Sequence, residues 1–117
     1  IDSARDALID ILSDYTAMKG TKLIAVFDAY RLRNHKEECI EYHNINVIYT
    51  KSAQTADYYI ERFAKENKNK YRIRVVTSDN IEQVIVSSDN AFITSSREFY
   101  DEVKNVKEEF NKRHGIT

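Results

Sequence analysis

The sequence predicts an α/β domain built on an open, mainly parallel sheet flanked by helices. Three observations carry this. The run Lys22-Leu-Ile-Ala-Val-Phe27 is continuously apolar after its first residue, which suits a strand buried on both faces. Strand-like runs are separated by segments with apolar residues at three- and four-residue spacing, which read as helical crossovers. A length of 117 residues supports one respectable core and not two.

A first helix is expected over residues 3–18, with Ala4, Leu8, Ile11, Tyr15 and Met18 on its buried face. Ser3 followed by Asp6 resembles a capping arrangement, and Gly20 is a natural stop. The apolar run over 22–27 is the first strand, a polar stretch over 31–38 follows, and 46–50 is the second strand. Ala56, Tyr59, Ile60, Phe63 and Ala64 mark a second amphipathic helix that ends near the Asn and Lys cluster at 67–70. Residues 72–77 read as a third strand, Ile81, Val84 and Ile85 as a short helix, and 91–94 as a short fourth strand. A final helix over 97–113 buries Phe99, Val103, Val106 and Phe110. No repeat, low-complexity segment or linker interrupts the chain, so residues 1–117 form a single domain.

Composition narrows the function classes. Hydrophobic residues make up 42% and charged residues 32%, the balance of a globular chain. Eighteen Lys and Arg against nineteen Asp and Glu give a net charge of −1, which excludes a histone-like polybasic binder but allows a local basic patch. The longest apolar run, 23–27, is far too short to span a membrane, and acids interrupt any leader-like stretch at the start, so no membrane partner is expected. The single cysteine, Cys39, forms neither an internal disulfide nor a cysteine zinc site, so the expected setting is the reducing cytoplasm. With no proline and two glycines, turns fall to Asn, Asp, Ser and Thr.

In an open parallel sheet the ligand crevice lies outside the carboxyl ends of the strands. Asp28 follows the first expected strand, Asp57 lies past a short loop after the second, and Asp79 follows the third. Clustered carboxylates repel one another unless a cation compensates, and hard oxygen ligands with open positions suit Mg²⁺ or Mn²⁺. Each acid also has a structural reading. Asp79 with Glu82 forms a capping box, Asp57 complements a helix dipole, and Asp28 is expected to be partly buried and to need a partner.

At these motifs the chain resembles the YacP-like NYN domains, a bacterial branch of the PIN-like nuclease superfamily that includes a ribosome-associated endoribonuclease. The matching residues are Ala4-Arg5-Asp6 and Leu8, Val26-Phe-Asp28-Ala29, Val47-Ile-Tyr-Thr50, and Gln54-Thr-Ala-Asp57 with Ile60-Glu61. They continue through Val75-Val-Thr-Ser-Asp79 with Glu82-Gln83, and Ser95-Ser-Arg97-Glu98-Phe99. The resemblance implies a Rossmann-like sheet with a divalent-metal-dependent endoribonuclease site at Asp28, Asp57 and Asp79. Glu61, one turn after Asp57, is a weaker candidate. The family opens with a strand ending in Asp-Gly-Tyr-Asn, a motif this chain lacks because Ile1-Asp2-Ser3 already enters the first helix. The expectation is therefore an NYN domain without its first strand, leaving two neighbouring sheet edges exposed.

RNA binding needs cations for phosphates and flat side chains for splayed bases. The segment after Asp28 offers Tyr30 as a stacking residue and Arg31, Arg33, His35 and Lys36 as polar or charged contacts. By the family likeness Lys51 and Arg97 join that rim. The other tyrosines are expected mostly to face the core. The three histidines lack metal-ligand spacing and read as surface or loop residues, Cys39 reads as a small hydrophobe, and Ser95 or Ser96 caps the last helix.

The leading expectation is a metal-dependent endoribonuclease on single-stranded RNA, with messenger RNA at the ribosome as the implied context and no DNA partner. The competing one is a non-catalytic RNA- or ribosome-binding module with a degenerate site, favoured by the missing motif. A phosphoacceptor receiver built on Asp28 ranks last, because neither the acidic pair after the first strand nor the lysine after the last is in place.

Overall fold

The computed structural model describes residues 2–29, 33–77 and 91–115. In chain order the elements are α1 (Asp2–Lys19), β1 (Ile24–Phe27), β2 (Glu38–Tyr42), β3 (Ile45–Tyr49), α2 (Ala56–Glu66), β4 (Ile73–Thr77), β5 (Ala91–Ser95) and α3 (Ser96–Arg113). The α/β class follows directly. The short helix expected around Ile81, Val84 and Ile85 lies outside the described residues.

β1 pairs in parallel with β3, from Ile24 opposite Asn46 to Phe27 opposite Tyr49, and β4 pairs in parallel with β5. The strands form two sheets, β1-β3-β2 and β4-β5, where the sequence suggested one. Among the described strands β1 and β2 are the edges of the first sheet, and β4 and β5 each keep one unpaired edge.

The sequence assigned no strand to 38–42, yet β2 runs there, antiparallel to β3. All five of its residues are exposed, so no buried face imprints alternation on the sequence. A two-residue turn at His43 and Asn44, with His43 at φ 54°, sets Tyr42 opposite Ile45. Cys39 is exposed on this edge strand.

α1 closes at Gly20, whose φ of 69° is left-handed and whose amide donates to the Thr16 carbonyl at 2.8 Å. Ser3 lies inside the helix and does not cap it. The buried face also differs from the expected stripe. Ile9, Ser13, Tyr15 and Thr16 are buried, whereas Leu8 and Ile11 are exposed. Apolar spacing misplaced the face because two of its buried residues are polar. Ser13 Oγ donates to Asn44 Oδ1 at 2.7 Å and Thr16 Oγ1 to the Leu12 carbonyl at 2.8 Å, so both are satisfied without water.

Each sheet has its own apolar cluster. Ile9, Ile45 and Val47 pack with Leu12, Leu23, Phe27 and Tyr49, while Ala64 and Val75 pack with Ile60, Ile73, Ala91 and Ile93. A fully buried aliphatic side chain contributes about 1.5–3 kcal/mol, so Ile45, Val47 and Val75 are the main anchors. α3 buries no residue completely, and Phe110 stays exposed. α1 and α3 meet where the Tyr15 and Phe99 rings pack edge to face at 5.1 Å. There Glu102 takes the Tyr15 hydroxyl and both terminal nitrogens of Arg74, tying the first helix to β4.

Candidate active site

The candidate site is built where β1 and β3 end side by side. The Thr50 amide donates to the Phe27 carbonyl at 3.1 Å, extending the parallel ladder one step beyond Phe27 and Tyr49. Thr50 is fully buried, and its Oγ1 accepts the Ala29 amide at 2.9 Å. The backbone on both sides of Asp28 is therefore fixed to β3. Asp28 itself steps off the end of β1 and is exposed, correcting the expectation of partial burial. Its Oδ2 accepts a hydrogen bond from the Ala56 amide at 3.4 Å.

That contact sets Asp28 against the start of α2. Thr55 is the N-cap, its side chain accepting from the Tyr58 amide, and Asp57 lies in the first turn as expected. Asp28 thus bonds to the residue immediately before Asp57. Asp57 is half-buried and Asp28 exposed, so both lie at a solvent-facing edge. Asp79, two positions beyond the last residue of β4, lies outside the described residues, as do Tyr30 and Arg31.

A latch holds the surrounding loops. The His35 amide donates to Ser52 Oγ at 2.6 Å, and the Ser52 amide donates to the His35 carbonyl at 2.8 Å. His35 Nδ1 lies 2.9 Å from the Thr50 carbonyl, which can only accept, so that nitrogen carries a proton. Nε2 meets Glu38 Oε1 at 2.8 Å, and Arg62 of α2 reaches Glu37 at 3.7 Å. His35 is consequently a half-buried loop residue with a structural role, in keeping with its reading as a surface or loop histidine. The latch brings the loop carrying Arg33 and Lys36 against the loop carrying Lys51, all three exposed. Arg97 is exposed in the first turn of α3, directly after β5, in the other sheet. Glu61 is half-buried on α2.

The loop from β3 to α2 is under constraint. Ala53 sits at φ 66°, a left-handed conformation costly for a residue with a Cβ. Gln54 is buried. Its Oε1 accepts the Lys51 amide, but its Nε2 finds no acceptor among the described residues. The structural roles of Thr50, His35 and Ser52 escaped the sequence reading because each side chain bonds to backbone atoms 15 to 21 positions away, a separation no spacing rule links.

Among the described residues no group of three or more His, Cys, Asp or Glu side chains is positioned to hold a metal. Mg²⁺, however, is commonly held by one or two carboxylates together with water and substrate phosphates. Asp28, bonded to the residue preceding Asp57 at a solvent-facing edge, matches that pattern in residue type and number.

Fold and edge together define an open α/β domain with acidic residues where its strands end. Over residues 1–116 the sequence matches the YacP-like NYN domain family. The chain belongs to that family, a branch of the PIN-like nuclease superfamily. It is 34% identical over 113 residues to YacP of Bacillus subtilis strain 168, covering 96% of this chain and 66% of that protein. Two crystal structures of Rae1 (YacP) from Bacillus subtilis, one of them a point variant, superpose with TM-scores of 0.77 and 0.74. Each is 34% identical and is matched over 95% of this chain and 64% of its own length. The chain thus spans about two thirds of the length of these relatives.

Proposed function

We propose that the protein is a divalent-metal-dependent endoribonuclease that hydrolyses single-stranded RNA, with messenger RNA at the ribosome, in the cytoplasm, as its setting. The observation that carries the proposal is the Asp28 carboxylate bonded to the residue preceding Asp57, in a chain of a nuclease-type family. The ribosomal setting is supported by the family resemblance alone. Among the described residues no helix is long and apolar enough to cross a membrane.

In this reading Asp28 and Asp57, joined by Asp79, hold Mg²⁺ or Mn²⁺. When bound, such an ion polarises a phosphodiester oxygen and lowers the pKa of a bound water. The remaining work falls to the chain. Thr50 fixes the backbone at Ala29 and so the direction in which Asp28 leaves β1. Arg33, Lys36, Lys51 and Arg97, with Arg31, contact phosphates as flexible cations, and Tyr30 stacks on a base.

Cleavage of a fluorophore-labelled single-stranded RNA tests this. Activity should require Mg²⁺ or Mn²⁺, stop with a chelator, and fall at least about a hundredfold in Asp28→Asn and in Asp57→Asn. Circular dichroism must first show both variants folded. Cleavage that persists in chelator and in both variants overturns the proposal. RNA retention without cleavage under every metal condition would instead select the non-catalytic binding module.

A further inference from the structure

We propose that Lys22, Lys70, Tyr71, Arg72 and Phe92 form a second surface for single-stranded RNA, at the edge where β1, β4 and β5 begin. This rests on the reading of RNA as the ligand but concerns a different face of the molecule. Lys22 lies two residues before β1, Tyr71 and Arg72 directly precede β4, and Phe92 is the second residue of β5. Asp28 lies beyond the opposite end of β1. It stands six positions on from Lys22, about 20 Å at the usual strand rise.

Tyr71 and Phe92 are large aromatic residues left 38% and 40% exposed, as stacking platforms must be. Lys22 and Lys70 bring their Nζ atoms to 5.7 and 5.5 Å from the Tyr71 ring centre, and Arg72 Cζ lies 5.3 Å from that of Phe92. The first of these contacts joins the start of β1 in one sheet to the approach to β4 in the other. Among the described residues, no carboxylate pairs with Lys22, Lys70 or Arg72. Such unneutralised charge is notable in a chain of net charge −1, whose segment 67–73 contains no acid at all.

An acidic peptide would use the cations and leave the rings idle. A single-stranded polynucleotide uses both, setting phosphates on the cations and bases against the exposed parts of the rings. Double-stranded nucleic acid keeps its bases stacked internally and offers the rings nothing. Three phosphate-contacting cations correspond to a log–log salt slope of about −2 for single strands.

The test is fluorescence anisotropy of a labelled single-stranded RNA with the full chain, in chelator so that no cleavage intervenes. A Lys70→Gln, Arg72→Gln double variant should weaken binding about tenfold at low salt and make the slope shallower by about one unit. Tyr71→Ala should weaken binding with the salt slope unchanged, because stacking carries no counterions. If wild type binds RNA and a folded double variant matches it in affinity and slope, the second surface is overturned while the RNA reading stands. If wild type neither binds nor cleaves RNA, both fail. Equal competition by polyglutamate and unlabelled RNA would also overturn the proposal, since charge alone would then explain the patch.

Discussion

Thr50 accepts the Ala29 amide on its hydroxyl at 2.9 Å while being wholly shielded from water. The bond joins the end of β3 to the backbone just past Asp28, so Thr50 acts on the candidate site without touching solvent. Thr50→Val keeps the shape and removes the acceptor, leaving the buried Ala29 N–H unpaired. The expected cost is about 1–3 kcal/mol, read as a lower urea midpoint at unchanged slope. Cleavage at temperatures where the variant is fully folded should also fall, because Asp28 loses its fixed departure angle.

Ala53 holds a left-handed backbone conformation, φ 66°, in the loop between β3 and α2. Glycine adopts that conformation freely but gains more freedom on unfolding. Left-handed alanine costs about 1–2 kcal/mol, against about 0.5–1 kcal/mol for the added flexibility of glycine. Ala53→Gly should therefore hold or raise stability by up to about 1 kcal/mol, read from urea unfolding. A larger side chain at 53 gains nothing from this relief, so Ala53→Val should destabilise.

Much of the layout was legible because the elements carry strong local signals. The run ending in Phe27, the Ser95 cap, the Gly20 stop and the apolar spacing from Ala56 to Ala64 place β1, α3, α1 and α2 within a few residues of their observed limits. β2 was not legible, since its Glu-Cys-Ile-Glu-Tyr sequence is exposed throughout and is a strand only because β3 lies beside it. The face of α1 was misread because hydropathy cannot anticipate that Ser13 finds Asn44, 31 residues away. Tyrosine exposure was misread likewise. Tyr42, Tyr58, Tyr71 and Tyr100 are exposed, since a ring that meets a cation or a carboxylate at the surface needs no core. At the candidate site, strand-end position pointed to Asp28 and Asp57 as candidates, while the latch of His35 on Ser52 depends on loop geometry that no residue pattern encodes.

The start of α3 is a reciprocal cap. Ser95 Oγ accepts the Glu98 amide at 3.1 Å, and the Glu98 carboxylate reaches back to the Ser95 amide. Since α3 buries no residue completely, packing compensates poorly for a lost cap. Ser95→Ala should cost about 1 kcal/mol. Ser95→Asp, which retains the acceptor and suits the helix dipole, should recover most of that loss in the same unfolding assay.

The Tyr15, Glu102 and Arg74 cluster makes stability depend on pH at both ends of the range. Tyr15 is 6% exposed, and burial, reinforced by its hydrogen bond to Glu102 and the charge there, pushes its phenol up to about 12. The unfolded chain gives up this proton near the ordinary value of 10.0, so the stabilisation is complete below that pH and disappears as pH rises toward 12. The loss should reach about 1 kcal/mol by about pH 11. Tyr15→Phe should flatten that decline without abolishing it, because Tyr59 and Tyr42 are also shifted upward, by burial and by Asp10 respectively. Glu102 moves the other way, held below its ordinary range first by the Arg74 hydrogen bond and then by that of Tyr15. Its contribution is present above pH 4.5 and is lost as the pH falls through its lowered value. Glu102→Gln should flatten the acid limb and cost about 1–2 kcal/mol near neutrality, since Arg74 then loses the carboxylate that pairs with both its terminal nitrogens. Urea midpoints measured from acid to alkaline pH on wild type and both variants separate the two limbs. A Glu102→Gln profile that parallels wild type below pH 4.5 would show that this carboxylate does not couple folding to protons.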